Sequence, residues 1–168
     1  SLTLTSATAT TGNLSLTARN AHIALGTGFA GGIAQITAAT AGNGDVTIVN
    51  RLDTVGDAKI TSGAAVRVPV VSSTAGDVII NAGANVTGAT VGARASLSAG
   101  GANKRVLVEA SNGTVLLDSV NAGTGAGVLA GEQVRVVAHT LDVNSVNAAN
   151  GDVTLVSGTG NLTAGSVN

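Results

Sequence analysis

The sequence predicts an all-β fold of the parallel β-helix (β-solenoid) class, and three observations predict it. A glycine motif recurs along the chain, short segments alternate apolar and polar residues, and large side chains are almost missing. The 168 residues are 44% hydrophobic, yet they include one Phe and no Trp, Tyr, Met or Cys. A core without large rings must be narrow, regular and filled by small branched aliphatic side chains.

The recurring motif is a glycine, a polar residue, an aliphatic residue, any residue and a second aliphatic residue. Successive motif glycines are separated by about 32–38 residues, a period typical of stacked structural units. We interpret each interval as two solenoid turns of about 16–19 residues, which gives about eight to ten turns with the motifs in one axial register. The motifs open at Gly12, Gly44, Gly76, Gly113 and Gly151.

Further short segments that alternate apolar and polar residues predict strands with one buried face. In the segment 66–68, for example, Val66 and Val68 point to one side and Arg67 to the other. The remaining segments of this kind are 22–25, 59–61, 96–98, 106–109, 134–136 and 141–143.

No helix of useful length is predicted, because 24 glycines are scattered through the chain and no apolar stripe of helical period is sustained. Gly and Asn between the strands supply the backbone conformations of tight corners. Pro69 lacks a backbone N–H and is therefore expected at a strand end or a bulge.

Charge and cysteine content exclude several function classes. Eight Lys plus Arg residues against nine Asp plus Glu residues leave a net charge of −1, so no basic surface for nucleic acid is expected. The lack of cysteine excludes disulfides, thiolate metal sites and a cysteine nucleophile. No apolar stretch approaches the length of a membrane span, so we expect no membrane insertion. The residues from Ser1 onward do not have the pattern expected of a signal peptide.

The Gly-Asn/Asp-Val/Leu-x-Leu/Ile motif and its period resemble those of the filamentous haemagglutinin family of two-partner-secretion exoproteins. The resemblance covers essentially the whole chain, from Leu2 to Val167. It implies a right-handed parallel β-helix, export through an outer-membrane partner barrel, and a location outside the cell or on its surface. The family's secretion-domain motifs are not found, which places residues 1–168 in a central repeat shaft as a single repeat segment.

Both ends of the sequence have the pattern of ordinary repeat rather than of polar caps. We therefore expect either a longer shaft that continues in both directions or end-to-end self-association of the chain.

The aspartates at one motif position are the first candidate site. A row of Asp45, Asp77 and Asp152 could bind calcium or act in catalysis. The alternative that we favour is that each carboxylate, like the Asn13 side chain, caps a corner by accepting backbone N–H bonds. The nonapeptide repeat typical of calcium-binding β-helices is absent.

Charged residues offer weaker candidates. His22 and His139 have no partner carboxylate at a recognisable spacing and are interpreted as surface residues. A patch of Lys104, Arg105, Glu109 and Glu132 could belong to a polysaccharide-degrading β-helix enzyme, but it lacks clustered acids and stacking aromatics. We predict no catalytic, cofactor-binding or metal-binding residue and no enzymatic activity.

Glycine-rich stretches and longer motif intervals predict loops. The stretches 26–32 and 123–127 resemble phosphate-binding loops but lack the helix and the Lys-Ser/Thr that such loops need, and we interpret them as loops that leave the coil. Phe29 is expected to plug a gap in the core, and the alternative is that it forms an exposed contact. Insertions are expected near 100–104 and 121–127, and insertions on a solenoid are where specific binding usually evolves. The exterior, rich in Thr, Asn and Ser, could form hydrogen bonds with host or matrix glycans.

The expected function is therefore that of a structural shaft of a secreted bacterial surface adhesin, which attaches to cells, surfaces or biofilm matrix. Two alternatives stay open: a polysaccharide-degrading lyase or hydrolase, and a self-assembling extracellular filament subunit.

Overall fold

The computed structural model describes residues 1–39, 42–90, 92–123 and 131–168, and these ranges contain strands and no helix. All strand pairs are parallel, which confirms the predicted parallel β-solenoid. The strands are β1 (Leu2–Ala9), β2 (Leu14–Ala18), β3 (Ile23–Ala30), β4 (Ala34–Ala38), β5 (Val46–Thr54), β6 (Ala58–Ser62), β7 (Val66–Arg67), β8 (Val70–Ser73), β9 (Val78–Ala82), β10 (Val86–Thr87), β11 (Ala95–Ala99), β12 (Val106–Ala122), β13 (Glu132–Ala148), β14 (Asp152–Ser157) and β15 (Leu162–Val167).

The chain visits three faces in a fixed order, and one circuit is called a rung. Face 1 holds the first halves of β1, β3 and β5, then β7, β10, the middle of β12 and β13, and the start of β15. Face 2 holds the second halves of β1, β3 and β5, then β8, β11, and the ends of β12, β13 and β15. Face 3 holds β2, β4, β6, β9, the starts of β12 and β13, and β14.

The solenoid has about seven rungs, fewer than the eight to ten expected. The expected common register of the glycine motifs is wrong: Gly12, Gly76 and Gly151 precede face-3 strands, whereas Gly44 and Gly113 precede face-1 strands. Two consecutive motif intervals therefore span three rungs instead of four. The parallel winding is shown directly by the strand pairing and does not depend on the motif register. The handedness of the coil stays a prediction.

The core is a stack of small aliphatic side chains that point inward from every face. On face 3 the central inward position is filled by Ile36, Ile60, Ile80, Val108 and Val136, each at most 2% exposed. Neighbouring rungs are about 4.8 Å apart, so like side chains contact one another along the axis. This regular interior explains why the composition contains almost no large rings.

Corners hold the rungs at this spacing by close backbone contact. At the corner between faces 3 and 1, a Cβ on Gly83 would lie 2.1 Å from the carbonyl oxygen of Gly63 in the previous rung. Because no real side chain tolerates such a distance, glycine is required there. The prediction that Pro69 lies at a strand end is confirmed: it directly precedes β8, which begins at Val70, and its carbonyl accepts the Ser96 N–H at 2.8 Å.

Two expectations at the first glycine-rich stretch are wrong. Residues 26–30 do not leave the coil but form the second half of β3. Gly28 is an inward position whose missing side chain leaves room for Leu52, since a Cβ would lie 2.7 Å from Leu52 Cδ1. Phe29 points outward on face 2 between Thr8 and Asp53, and it is 36% exposed instead of plugging the core.

Rung length increases in the second half of the molecule. On face 1, one rung runs from Val66 to its partner Val86, and the next rung runs from Val86 to its partner Val115. The second of these rungs contains nearly one and a half times as many residues as the first. Most of the extra residues lie between β10 and β11 and between β11 and β12, so the expected insertion near 100–104 is present and the one after β10 was not anticipated. Of the other expected insertion, 121–122 belong to β12, and 124–127 lie outside the described residues.

Candidate binding surfaces

Side-chain oxygens at the corners accept hydrogen bonds from the next rung. Asp45 Oδ1 accepts the Ala65 N–H at 2.9 Å, and Asp77 Oδ1 accepts the Arg105 N–H at 2.9 Å. Asp152 forms no such bond to any described residue, because no face-3 strand follows β14. The corner-capping interpretation therefore holds for two of the three aspartates. The three do not form one row, since Asp45 lies at a face-1 corner.

Sequence reasoning missed part of this set of acceptors. All of these acceptors are Asp or Asn residues that directly precede the first inward aliphatic residue of a strand, and this position can be recognised in the sequence. The predicted cap at Asn13 is confirmed, since its Oδ1 accepts the Ile33 N–H at 2.8 Å. The missed acceptors are Asp57 Oδ1, which accepts the Asp77 N–H at 3.0 Å, and Asn85 Oδ1, which accepts the Thr114 N–H at 2.8 Å.

Asp45 is the most heavily bonded of these corner groups. Its own N–H donates to His22 Nδ1 at 3.0 Å, and Arg67 Nη1 donates to its Oδ2 at 3.1 Å. Burial raises the pKa of the Asp45 carboxyl, but the Ala65 N–H, the Arg67 guanidinium and His22 together lower it by a larger amount. The pKa of Asp45 therefore lies below its ordinary value of 3.8. The carboxylate is a structural anion and not a proton donor at neutral pH.

The two histidines do not meet. His22 precedes β3, and His139 lies in β13 five rungs further on, about 24 Å away at strand spacing. His139 Nδ1 lies 3.2 Å from Thr159 Oγ1. Neither ring is placed for joint metal binding or acid–base chemistry.

The charged patch that was considered for an enzyme is divided in the structure. Arg135 Nη1 lies 3.3 Å from Glu132 Oε1. The Thr154 hydroxyl lowers the pKa of Glu132 by hydrogen bonding, and the charges of Arg135 and Arg105 lower it further.

Lys104 and Glu109, the other members of the patch, lie in different surroundings. Lys104 acts on Asp57, whose pKa is raised by burial but lowered to a greater extent by the Asp77 N–H, Lys59 and Lys104. Glu109 is exposed, and its Oε1 accepts the Ser111 hydroxyl at 3.3 Å.

Glu109 lies instead in a groove on face 3. Two depressions of about 440 and 200 Å³ share Asn81 and Glu109, and together they are called the face-3 groove. The first is lined by Thr61, Ser62, Asn81, Ala82, Gly83, Glu109, Ser111 and Asn112, and the second by Ile79, Asn81, Leu107, Val108, Glu109 and Arg135.

A local bulge raises one wall of this groove. Strands β12 and β13 pair on both sides of this point, but between the paired residues β12 contains three residues, 111–113, whereas β13 contains only His139. Ser111 and Asn112 therefore stand beyond the regular surface and border the larger depression. Hydroxyl and amide groups line the larger depression, and the aliphatic side chains of Ile79 and Leu107 line the smaller one beside it, an arrangement that can bind a hydroxylated ligand.

The groove does not have the acids of a glycosidase. Such enzymes use a pair of carboxyl groups on either side of the scissile bond. Glu109 is the one carboxylate among the described residues that line the groove.

A repeated tripeptide on face 2 was also missed from the sequence. Ser-Val-Asn occurs at 119–121, 145–147 and 166–168. The pairing places Ser119 beside Ser145 and Asn121 beside Asn147, and Ser145 beside Ser166. We call these stacked residues the Ser-Val-Asn array; the recurrence of one identical tripeptide toward the end of the chain was the available signal.

A cross-rung clamp borders the array. Arg94, directly before β11, forms an ion pair with Asp142 two rungs away and donates to the carbonyl of Leu117 at 3.2 Å. Asn144 Nδ2 donates to Asp118 Oδ1 at 2.9 Å beside it. The pKa of Arg94 is raised by this carboxylate partner.

Within the ranges that the structure describes, no three His, Cys, Asp or Glu side chains are close enough to hold a metal ion. No helix in those ranges is long and apolar enough to cross a membrane. No family model, curated protein or solved structure matches the chain. The filamentous haemagglutinin resemblance therefore stays a prediction from the motif.

Proposed function

We propose that this chain is part of the structural shaft of a secreted bacterial surface adhesin, which attaches to cells, surfaces or biofilm matrix. The observation that carries the proposal is the parallel stack of rungs around an aliphatic interior. Backbone hydrogen bonds run between rungs on all three faces, and such a stack resists bending and proteolysis. A shaft of this kind serves to hold a binding surface away from its anchor.

The outer surface supports an attachment role. The face-3 groove offers the carboxylate of Glu109, the amides of Asn81 and Asn112, and the hydroxyls of Thr61 and Ser111. These groups donate and accept hydrogen bonds with the hydroxyls of host or matrix glycans. By the family resemblance, the proposed route outward is an outer-membrane secretion partner.

The test is attachment by the 168-residue chain itself. Beads coated with the chain should adhere to bacterial biofilm matrix or to glycan-covered host cells more than beads coated with albumin. The double variant Asn81→Ala, Glu109→Ala should reduce adhesion severalfold if the groove contributes. A control variant, Gln35→Ala and Thr37→Ala, changes two outward residues on the same face outside the groove.

Two outcomes would contradict the proposal. Adhesion no greater than that of albumin beads would remove the attachment role. New reducing ends after incubation with uronate polymers would favour the polysaccharide-degrading alternative instead.

The filament alternative is supported by the outermost strands. β1, β2, β14 and β15 each pair on one side only, so their other edges can receive a further rung. That rung would come either from more of the same polypeptide or from a second copy. Concentration-dependent sedimentation of the chain tests self-assembly, and a single monomeric species at all concentrations would exclude it.

A further inference from the structure

The larger depression of the face-3 groove has one charged side chain among the described residues that line it, that of Glu109. Glu109 is exposed, and its carboxylate forms no ion pair with any residue that the structure describes. Its Oε1 accepts a hydrogen bond of 3.3 Å from the Ser111 hydroxyl, a neutral group that leaves the negative charge uncompensated. The carboxylate is therefore available to a cationic ligand.

The other acidic residues of the chain are in different surroundings. Of the nine acidic residues, seven accept a hydrogen bond from an arginine, a backbone N–H or an asparagine amide. They are Asp45, Asp53, Asp57, Asp77, Asp118, Glu132 and Asp142. Asp152 has no such partner among the described residues, but it lines neither depression. Glu109 alone combines a place in the groove with an uncompensated charge.

The nearest cation of the groove does not neutralise Glu109. Arg135 lines the smaller depression, and its Nη1 lies 3.3 Å from Glu132 Oε1, with which it forms an ion pair. The described residues that line the larger depression include no Lys, Arg or His. A depression lined by one sign of charge concentrates ligands of the opposite sign, so this part of the groove favours a cation.

The donor groups favour an organic cation over a metal ion. Calcium takes about six to eight oxygen ligands, usually with several carboxylates among them. In the part of the chain that the structure describes, no three His, Cys, Asp or Glu side chains lie close enough to hold a metal ion. An ammonium group needs only one carboxylate, and its three N–H donors can be shared between that carboxylate and neighbouring amide or hydroxyl oxygens.

The rest of the groove favours a sugar as the carrier of that ammonium group. The amides of Asn81 and Asn112 and the hydroxyl of Thr61 surround Glu109 in the larger depression and can bind sugar hydroxyls. The aliphatic side chains of Ile79 and Leu107 line the smaller depression, where they can contact the apolar face of a sugar ring.

The volume of the larger depression, about 440 Å³, lies in the range of ligand-binding clefts. We propose that the face-3 groove binds a polysaccharide that carries unsubstituted amino groups, with a sugar ammonium group on the Glu109 carboxylate. This inference deepens the proposed attachment function and rests on it.

The test is isothermal titration of the 168-residue chain with two oligosaccharides of equal length, one of glucosamine and one of N-acetylglucosamine. The two ligands share one backbone, but the acetylated nitrogen carries no charge. At a pH that keeps the sugar amines protonated, we expect the glucosamine ligand to bind about tenfold more tightly, because a hydrogen bond between charged groups is stronger than a neutral one. Added salt should reduce this difference.

A matched pair of variants locates the effect. Glu109→Gln keeps the size of the side chain and removes its charge, and it should weaken glucosamine binding about tenfold while changing N-acetylglucosamine binding less than about twofold. Asp152→Asn makes the same change of charge at the start of a face-3 strand outside both depressions, and it should change either affinity less than about twofold. Circular dichroism of both variants checks that the fold is retained.

Several results would overturn the inference. They are no binding of either oligosaccharide, equal affinity for both, and an equal loss in the two variants, which would indicate a general attraction of cations to the chain. Tighter binding of oligolysine that also depends on Glu109 would assign the groove to a basic protein instead.

The same measurements separate this inference from the proposed function. Bead adhesion by a chain that shows no preference for glucosamine would leave the proposed function intact while removing the inference. Glucosamine binding that depends on Glu109, without bead adhesion, would remove the proposed function alone.

Discussion

Ile79 and Ile80 are neighbours in β9, yet they belong to two regions under different physical constraints. Ile80 is fully buried in the interior stack, whereas Ile79 points outward into the face-3 groove. Inward positions carry similar aliphatic residues on all three faces, because each must fill the same narrow space. Outward positions differ from face to face. Features that distinguish this solenoid from another should therefore be sought on its exterior.

The largest expected effect separates these two regions directly. Ile80→Ala leaves a cavity between Ile60 and Val108 and should lower the free energy of unfolding by about 2–5 kcal/mol. Ile79→Ala removes an outward side chain and should cost less than about 1 kcal/mol. Urea unfolding followed by far-ultraviolet circular dichroism measures both. Equal losses would mean that inside and outside are wrongly assigned.

The next effect concerns the corners that connect the faces. Asp77→Ala removes the acceptor of the Arg105 N–H and should cost about 1–2 kcal/mol of unfolding free energy. Asp152→Ala serves as its control, because that carboxylate caps no described corner, and should change stability by less than about 0.5 kcal/mol. A similar loss in both variants would contradict the capping role of Asp77.

A smaller effect tests contacts on the exterior that span several rungs. Arg94→Ala breaks the ion pair with Asp142 and the bond to the Leu117 carbonyl, at a cost of about 1 kcal/mol. Arg51→Ala breaks the pair with Asp53 on the outward side of one strand and should cost less than about 0.5 kcal/mol. Thermal unfolding of both variants gives the comparison, and a larger loss for Arg51→Ala would reverse it.

The smallest effect is a pH dependence of the corner carboxylates. The pKa values of Asp45 and Asp57 are lower in the folded chain than their ordinary 3.8. The stability that they contribute is therefore present above pH 3.8 and is lost as the pH falls through the folded values. The double variant Asp45→Asn, Asp57→Asn should show a smaller drop in urea midpoint between pH 6 and pH 3. An unchanged drop would show that other groups control acid stability.

Short-range patterns made much of the architecture predictable. Alternation placed Val66 and Val68 inside and Arg67 outside, and the structure confirms this. The same pattern could not give the number of rungs, because corners of either kind can begin with the same glycine motif. Phe29 was misplaced since its hydrophobicity suggested burial, whereas its position in β3 points it outward.

The candidate surfaces were less predictable for a geometric reason. Asn81 and Glu109 belong to separate strands, β9 and β12, and they share one groove because those strands occupy adjacent rungs. Arg94 and Asp142 are 48 residues apart and meet only because the lengths of the two rungs between them bring them to the same place on the surface. Such neighbours depend on the length of every connection between them, and no local pattern encodes the sum of those lengths.

The sequence by itself determined the strand character and the aliphatic interior of this protein, since both follow from side-chain alternation and size within a few residues. Tertiary structure alone decided which outward residues become neighbours. The unequal lengths of the rungs, such as those that join Val66 to Val86 and Val86 to Val115, set that registry. Because adjacent rungs are joined through backbone hydrogen bonds, a change in the length of one corner changes which outward residues become neighbours in the rungs that follow it.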